Sequence, residues 1–133
     1  MTDKQALSAY RLRRAEETLP DAEKTLQHGI GPAAVINRAY YVMFYAVWAL
    51  LLRVGLKVKT AKHIGIIEIF DREFVHTGEF DGHYSKMMHK TFAARQDGDY
   101  RDLVVVTIPE AEKYLNFSRE FLMAIKSYLQ NLP

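Results

Sequence analysis

Residues 33–52 read AAVINRAYYVMFYAVWALLL. Between Pro32 and Leu52 the only polar side chains without an aromatic ring are Asn37 and Arg38, side by side. A helix that is apolar on nearly every side has no face to leave to water, so this stretch predicts a core helix enclosed by others. An arginine fixed in such a helix requires a carboxylate, a phosphate or a second chain, because an unpaired buried charge is very costly. Two assignments stay open. In the structural one, Arg38 meets a carboxylate of its own chain and Asn37 satisfies backbone groups near the helix end. In the functional one, Arg38 faces a dimer seam or a pocket and grips a phosphate in fork geometry.

The same stretch has to be weighed against a membrane span. Ala39–Leu52 gives 14 uninterrupted apolar or aromatic residues, short of the ~20 that a bilayer requires. Three tyrosines within it and Arg38 beside it favour a buried helix. The N-terminal MTDKQALSAYRLRRAEE is polar and helical in pattern, without the apolar centre of a signal peptide. The expectation is a soluble, cytoplasmic protein with no membrane contact.

At 133 residues, 49% hydrophobic and 26% charged, the chain reads as one domain over residues 1–133, long enough to bury roughly two thirds of its unfolded surface. A net charge of +2 leaves room only for a local basic surface. With no cysteine, disulfides, thiolate metal sites and a cysteine nucleophile are excluded.

Outward from the core helix, the pattern predicts five helices. The first runs from about Asp3 to His28, with Leu12, Ala15, Leu19, Ala22 and Leu26 on one stripe. Pro20 lies inside it and is expected to kink or interrupt it. Gly29 and Gly31 break the chain, Pro32 opens the core helix, and Gly55 ends it. Thr60 is placed to cap a third helix carrying Ile64, Ile67, Phe70 and Phe74 and stopping at Gly78. A fourth begins near Asp81 and carries Tyr84, Met87, Met88, Phe92 and Ala93. The segment QDGDYRDLVVV after Arg95 lacks a helical period and holds the turn signal Asp97-Gly98, while Val104–Val106 is the one strand-like run. Thr107, Pro109 and Glu110 then form the start of a last helix whose buried face is Ala111, Tyr114, Leu115, Phe121, Leu122, Ile125 and Leu129. Short connections make this an all-α, up-and-down bundle of four to five helices.

Few side chains offer chemistry. The histidines, His28, His63, His76, His83 and His89, lack the one-turn spacing of a metal site, so surface and capping roles are expected and no metal is implied. His63 stands apart, in the first turn of the third helix beside the basic loop, where its pKa is expected to fall and the neutral ring can donate or accept. Arg95, in the last predicted turn of the fourth helix, suits a capping cation. Basic groups gather at Arg11, Arg13 and Arg14, and at Arg53, Lys57, Lys59 and Lys62, the second group able to meet a phosphate backbone. No phosphate loop, dinucleotide fingerprint or nucleophile elbow is present.

Three strings together resemble a known family: Asn37-Arg38-Ala-Tyr40-Tyr41-x-x-Phe44, Lys59-Thr60-x-x-His63 followed by Phe70, Phe74 and Gly78, and Arg95 followed by Asp99-Tyr100. This combination resembles the HEPN domains, in particular a prokaryotic subgroup with an Asn-Arg-x-Tyr-Tyr signature, from about Leu7 to Leu129. The resemblance implies a helical bundle that forms a homodimer. It also implies a minimal nucleotidyltransferase as partner in a toxin–antitoxin system, and no cofactor. Active members are metal-independent RNases whose motif is an arginine, four to six residues, and a histidine. Arg95 matches the arginine; the three possible histidine positions hold Tyr100, Arg101 and Asp102. A tyrosine near pKa ~10 is a poor base at neutral pH, though it can donate. The function expected is binding of a nucleotide or RNA phosphate by Asn37, Arg38, Tyr41, His63 and Arg95. The alternatives are an RNase with a non-standard site, in which Tyr100 or His63 joins Arg95 in place of the missing histidine, or a non-catalytic dimerisation module.

Overall fold

Caps and left-handed glycines punctuate the chain. A computed structural model describes residues 2–59, 62–100 and 105–133, Tyr100 through its backbone alone. Among the described residues it contains α1 (Asp3–Gln27), α2 (Pro32–Arg53), α3 (His63–Phe70), α4 (Gly82–Tyr100) and α5 (Ile108–Gln130), with a π-helical turn over Asp71–Val75 and no strand. The all-α bundle expected from the sequence is the one that forms.

Thr2 caps α1 reciprocally: its hydroxyl accepts from the Gln5 amide at 3.1 Å, and the Gln5 side chain accepts from the Thr2 amide at 2.9 Å. The helix runs through Pro20 without interruption, so of the two expected effects the break does not occur. Pro20 points to solvent, while Ala15, Ala22 and Thr25 on the opposite side are buried. Burial of that face outweighs the one lost backbone bond.

Pro32 starts α2, and Gly55 at φ 78° ends it. There the Gly55 amide donates to Leu52 O and the Leu56 amide to Leu51 O, the paired bonds of a glycine-terminated helix. α2 packs against α1, α3, α4 and α5 and buries Val35, Ile36, Ala39, Tyr40, Val42–Phe44, Ala46, Val47 and Ala49–Leu51. Its 22 residues are long and apolar enough to cross a membrane by length and composition, with 67% of the apolar window enclosed by the bundle. The enclosure is incomplete. Asn37, Tyr41, Tyr45, Trp48 and Leu52 are half-buried along one stripe, and Arg38 is exposed. Arg38 is therefore not the buried charge its neighbours suggested. A step of 100° around the helix carries it out of the core.

The third helix begins at His63 and continues as the π turn to Val75, with Gly78 at φ 83° beyond it, as expected. Thr60, its expected cap, lies outside the described residues, and Lys62 precedes the first helical residue. Ile66, Ile67 and Phe70 face inward, whereas Ile64 is largely exposed. The His76 amide reaches back five residues to Asp71 O at 2.8 Å, closing the π turn. Phe70 and Phe74 still stack in the core, 6.1 Å apart.

Asp81 caps α4 by accepting the His83 amide at 2.9 Å. The helix then continues to Tyr100, through the Asp97-Gly98 that signalled a turn. Packing overrides the local signal. A Cβ at Gly98 would stand 3.4 Å from the Ala33 Cβ, an ordinary contact distance, so α4 packs against the start of α2 at this point. Val105–Thr107 carry no regular structure, and Val104 lies outside the described residues. Thr107 caps α5, accepting the Glu110 amide at 3.2 Å and donating its hydroxyl to the Glu110 carboxylate at 3.0 Å. Ala111, Leu115, Ser118, Phe121, Leu122 and Ile125 form its buried face, with Tyr114 and Leu129 half-buried.

Candidate functional site

Tyr40 and Tyr41 stand three and four residues after Asn37 and four and three before Phe44, spacings that place all four on one face of α2. The last turn of α4 lies across that face with Arg95 and Asp99 one turn apart. The first residue of α3 brings His63 to the same place.

The guanidinium of Arg95 is the centre of the cluster. Its Cζ lies 5.2 Å from the Tyr40 ring centre and 5.3 Å from that of Tyr41, within cation–π range. Nε donates to Asp99 Oδ2 at 3.2 Å, and Nη2 donates to the Tyr41 hydroxyl at 3.3 Å. Asn37 Nδ2 donates to the same Asp99 oxygen at 3.0 Å, linking α2 to α4. The Arg95 side chain keeps 12% of its exposure and Asp99 24%, so the pair is shielded from solvent and held in one geometry.

His63 lies flat against Phe44, ring centres 4.1 Å apart, with Tyr40 stacked at 5.7 Å. Its Nδ1 is 3.0 Å from the Tyr40 hydroxyl. Burial pushes the Tyr40 hydroxyl well above its ordinary pKa, with Arg95 opposing in part. Tyr40 therefore stays protonated and is a donor. Because it is fully enclosed, satisfying its O–H requires His63 Nδ1 to accept. The imidazole proton then sits on Nε2. Burial, followed by the Arg95 charge, lowers the pKa of His63, which is neutral at pH 7.

Such a cluster can bind an oxyanion through a fixed, partly shielded guanidinium and a neutral imidazole N–H. It is poorly suited to take up a proton, since the one lone pair of the imidazole is engaged by Tyr40. Among the described residues, no three His, Asp or Glu side chains gather as a metal would need.

Of the residues singled out from sequence, Asn37, Tyr41, His63 and Arg95 meet here. Arg38 does not: it lines a shallow cleft with Asp21, Lys24 and His28 at the end of α1. The Tyr100 side chain lies outside the described residues. Two members of the cluster had no site role assigned from sequence, Tyr40 and Asp99. The i, i+4 spacing of Arg95 and Asp99 was the available signal for the second, and reading the helix as ended before it hid that signal. Two of the other histidines do structural work: His83 contacts its capping Asp81 at 2.6 Å, and His89 Nε2 meets Asp71 at 2.5 Å, tying α4 to the π turn.

Comparison with known proteins identifies relatives of the whole chain. The HEPN domain model matches residues 8–128. The chain is 37% identical over 132 residues to a UPF0332 protein of Thermotoga maritima, covering 99% of this chain and 98% of that protein. It is 33% identical over 118 residues to "Putative toxin MJ0142" of Methanocaldococcus jannaschii, 89% of this chain and 78% of that protein. A second protein of that organism, "Putative toxin MJ0605", is also 33% identical over 118 residues, 85% of its own length.

Proposed function

Because the chain belongs to the HEPN domain family, we propose that it is a toxin-type HEPN protein that binds an RNA phosphate at the Arg95 cluster. It does so as a homodimer and in partnership with a minimal nucleotidyltransferase. The names of its two Methanocaldococcus relatives support the toxin class. The observation that carries the binding reading is the Arg95 guanidinium, shielded between two tyrosine rings and oriented by Asp99 and Tyr41. A cation so placed attracts a phosphate more strongly than one in open water.

A second reading, RNA cleavage, is favoured by one observation: His63 and Arg95 pack against the same two rings, Tyr40 and Tyr41. Cleavage would require a base to take the ribose 2′ proton as that oxygen attacks the neighbouring phosphorus, and an acid to protonate the departing 5′ oxygen. His63 with its Nδ1 occupied is a hydrogen-bond donor in this geometry, so binding without turnover is the better fit.

The experiment is titration of end-labelled single-stranded RNA with the purified protein, followed by anisotropy, with the RNA recovered and sized afterwards. Arg95→Ala is expected to weaken binding about tenfold or more, the worth of a charge-assisted hydrogen bond of about 1.5 kcal/mol. Arg38→Ala is expected to change it less than about twofold. The RNA should be recovered intact. Equal binding by Arg95→Ala and the unaltered chain would refute the site, and cleavage lost in Arg95→Ala would establish the second reading instead.

A further inference from the structure

The open stripe of α2 continues beyond the Arg95 cluster. Tyr45 and Trp48 follow Tyr41 at steps of four and three residues, so one helix edge carries three aromatic rings over about 10 Å. α1 lays an arginine on each of the last two. Arg14 Cζ is 5.3 Å from the Tyr45 ring centre and Arg11 Cζ is 4.1 Å from that of Trp48. Arg14 also donates to the Tyr45 hydroxyl at 3.3 Å. The Nε of Arg11 is buried without a hydrogen-bond partner, so the indole face is what positions this guanidinium.

Past Trp48 the stripe opens into a cavity of about 480 Å³, within the size range of small-ligand sites. Its floor is apolar, made by Trp48, Leu52, Leu56 and Val58. Its rim is cationic, made by Lys4, Lys57 and Lys59. No carboxylate lines it, and none of the three lysines forms an ion pair among the described residues. An apolar peptide would leave the lysines uncompensated, and a simple anion would make no use of the indole. A flat ring joined to a phosphate satisfies both halves.

We propose that this cavity is a nucleotide subsite for single-stranded RNA. One base packs against the part of Trp48 that lines the cavity, the neighbouring phosphates lie against Lys57 and Lys59, and the strand follows Tyr45 and Arg14 toward Arg95. The assignment rests on reading the Arg95 cluster as an RNA-phosphate site, and adds a second, separate contact some distance along the same helix.

Trp48 is the single tryptophan of the chain, so its emission reports this cavity alone. The test titrates the full chain with a short end-labelled oligoadenylate and reads tryptophan emission and label anisotropy together. Quenching of Trp48 in step with the anisotropy is expected. The double variant Lys57→Glu/Lys59→Glu, at exposed positions that leave the fold intact, should abolish the quench. It should also make the slope of log affinity against log salt shallower by about 1.4, at ~0.7 per phosphate contact. Trp48→Phe, which keeps a ring, should bind more weakly than the unaltered chain and more tightly than Trp48→Ala.

Anisotropy that rises with Trp48 emission unchanged, and that still falls in Arg95→Ala, would overturn the subsite and leave the Arg95 site standing. Absence of RNA binding by either signal would overturn both. Emission that follows protein concentration and ignores RNA would show that a second copy of the chain covers the cavity, which also overturns the proposal.

Discussion

Replacing Tyr40 with phenylalanine isolates one hydrogen bond. The ring stays and keeps its contacts with Tyr41, Phe44 and Phe92, at 5.3, 5.9 and 5.7 Å. What is lost is the hydroxyl that donates to His63 Nδ1 at 3.0 Å. Such a bond is worth about 0.5–1.5 kcal/mol net, and a buried partner left unsatisfied costs about 1–3 kcal/mol. His63 is only partly buried, so water can compensate in part, and the expected loss is about 1–2 kcal/mol. In a domain of this size that lowers Tm by about 3–8 °C. Urea unfolding followed by Trp48 emission measures it, with the slope m expected to be unchanged.

Tyr41→Phe is the matched control. Its hydroxyl accepts from Arg95 at the longer distance of 3.3 Å on a half-exposed ring, and its loss should cost about 0.5 kcal/mol, the low end for a hydrogen bond. An NMR titration adds an independent reading. The Tyr40 bond favours neutral His63, so its removal should raise the His63 pKa toward the ordinary value. If Tyr40→Phe is no less stable than Tyr41→Phe and His63 titrates as before, the engaged lone pair, and with it the case against proton transfer, is wrong.

The pKa of His63 is depressed by folding, so its contribution to stability is fully present above the unfolded value and is lost as pH falls through the folded one. Relative to His63→Asn, the unaltered chain should therefore lose stability between about pH 7 and pH 5. Denaturant melts across that window check it, and parallel curves would contradict it. Pro20→Ala restores a helical N–H at an exposed mid-helix position and should stabilise by about 1–3 kcal/mol. A loss of stability in urea would mean that the ring packs usefully. Gly98→Ala adds a methyl at van der Waals distance from Ala33 and should gain about 0.5–1 kcal/mol of helix propensity. A destabilised variant would mean that α4 and α2 cannot separate by the small amount required.

The fold was legible because one segment, residues 33–52, is apolar on nearly every side and so reads as central, and the elements around it are marked by Gly29, Pro32, Gly55, Gly78 and Thr107. The site was legible only in part. A sequence places Asn37 and Arg38 side by side, but on a helix adjacent residues diverge by 100°, so one joins Asp99 and the other meets water. Asp97-Gly98 carries a strong local turn signal, yet the contact with Ala33 and the Arg95–Asp99 bond extend the helix through it. The π turn at Asp71–Val75 has no composition that would announce it; it shows only in the five-residue bond to His76. The rings under Arg11 and Arg14 come from a different helix, a juxtaposition that no local pattern encodes.

The brevity of α3 has a dynamic consequence. Its α-helical portion is eight residues, continued by the five-residue π turn, and it docks mainly on α2, whereas α2 is held on every other side by long helices. A short segment of this kind opens at a fraction of the global unfolding free energy. Amide exchange should accordingly be fast in α3 and slowest in the middle of α2. Each opening carries His63 off Phe44 and away from Tyr40, hydrating the imidazole and uncovering the rings beneath Arg95. The acidity of one histidine and the dryness of one arginine are thus set by how long an eight-residue helix stays docked.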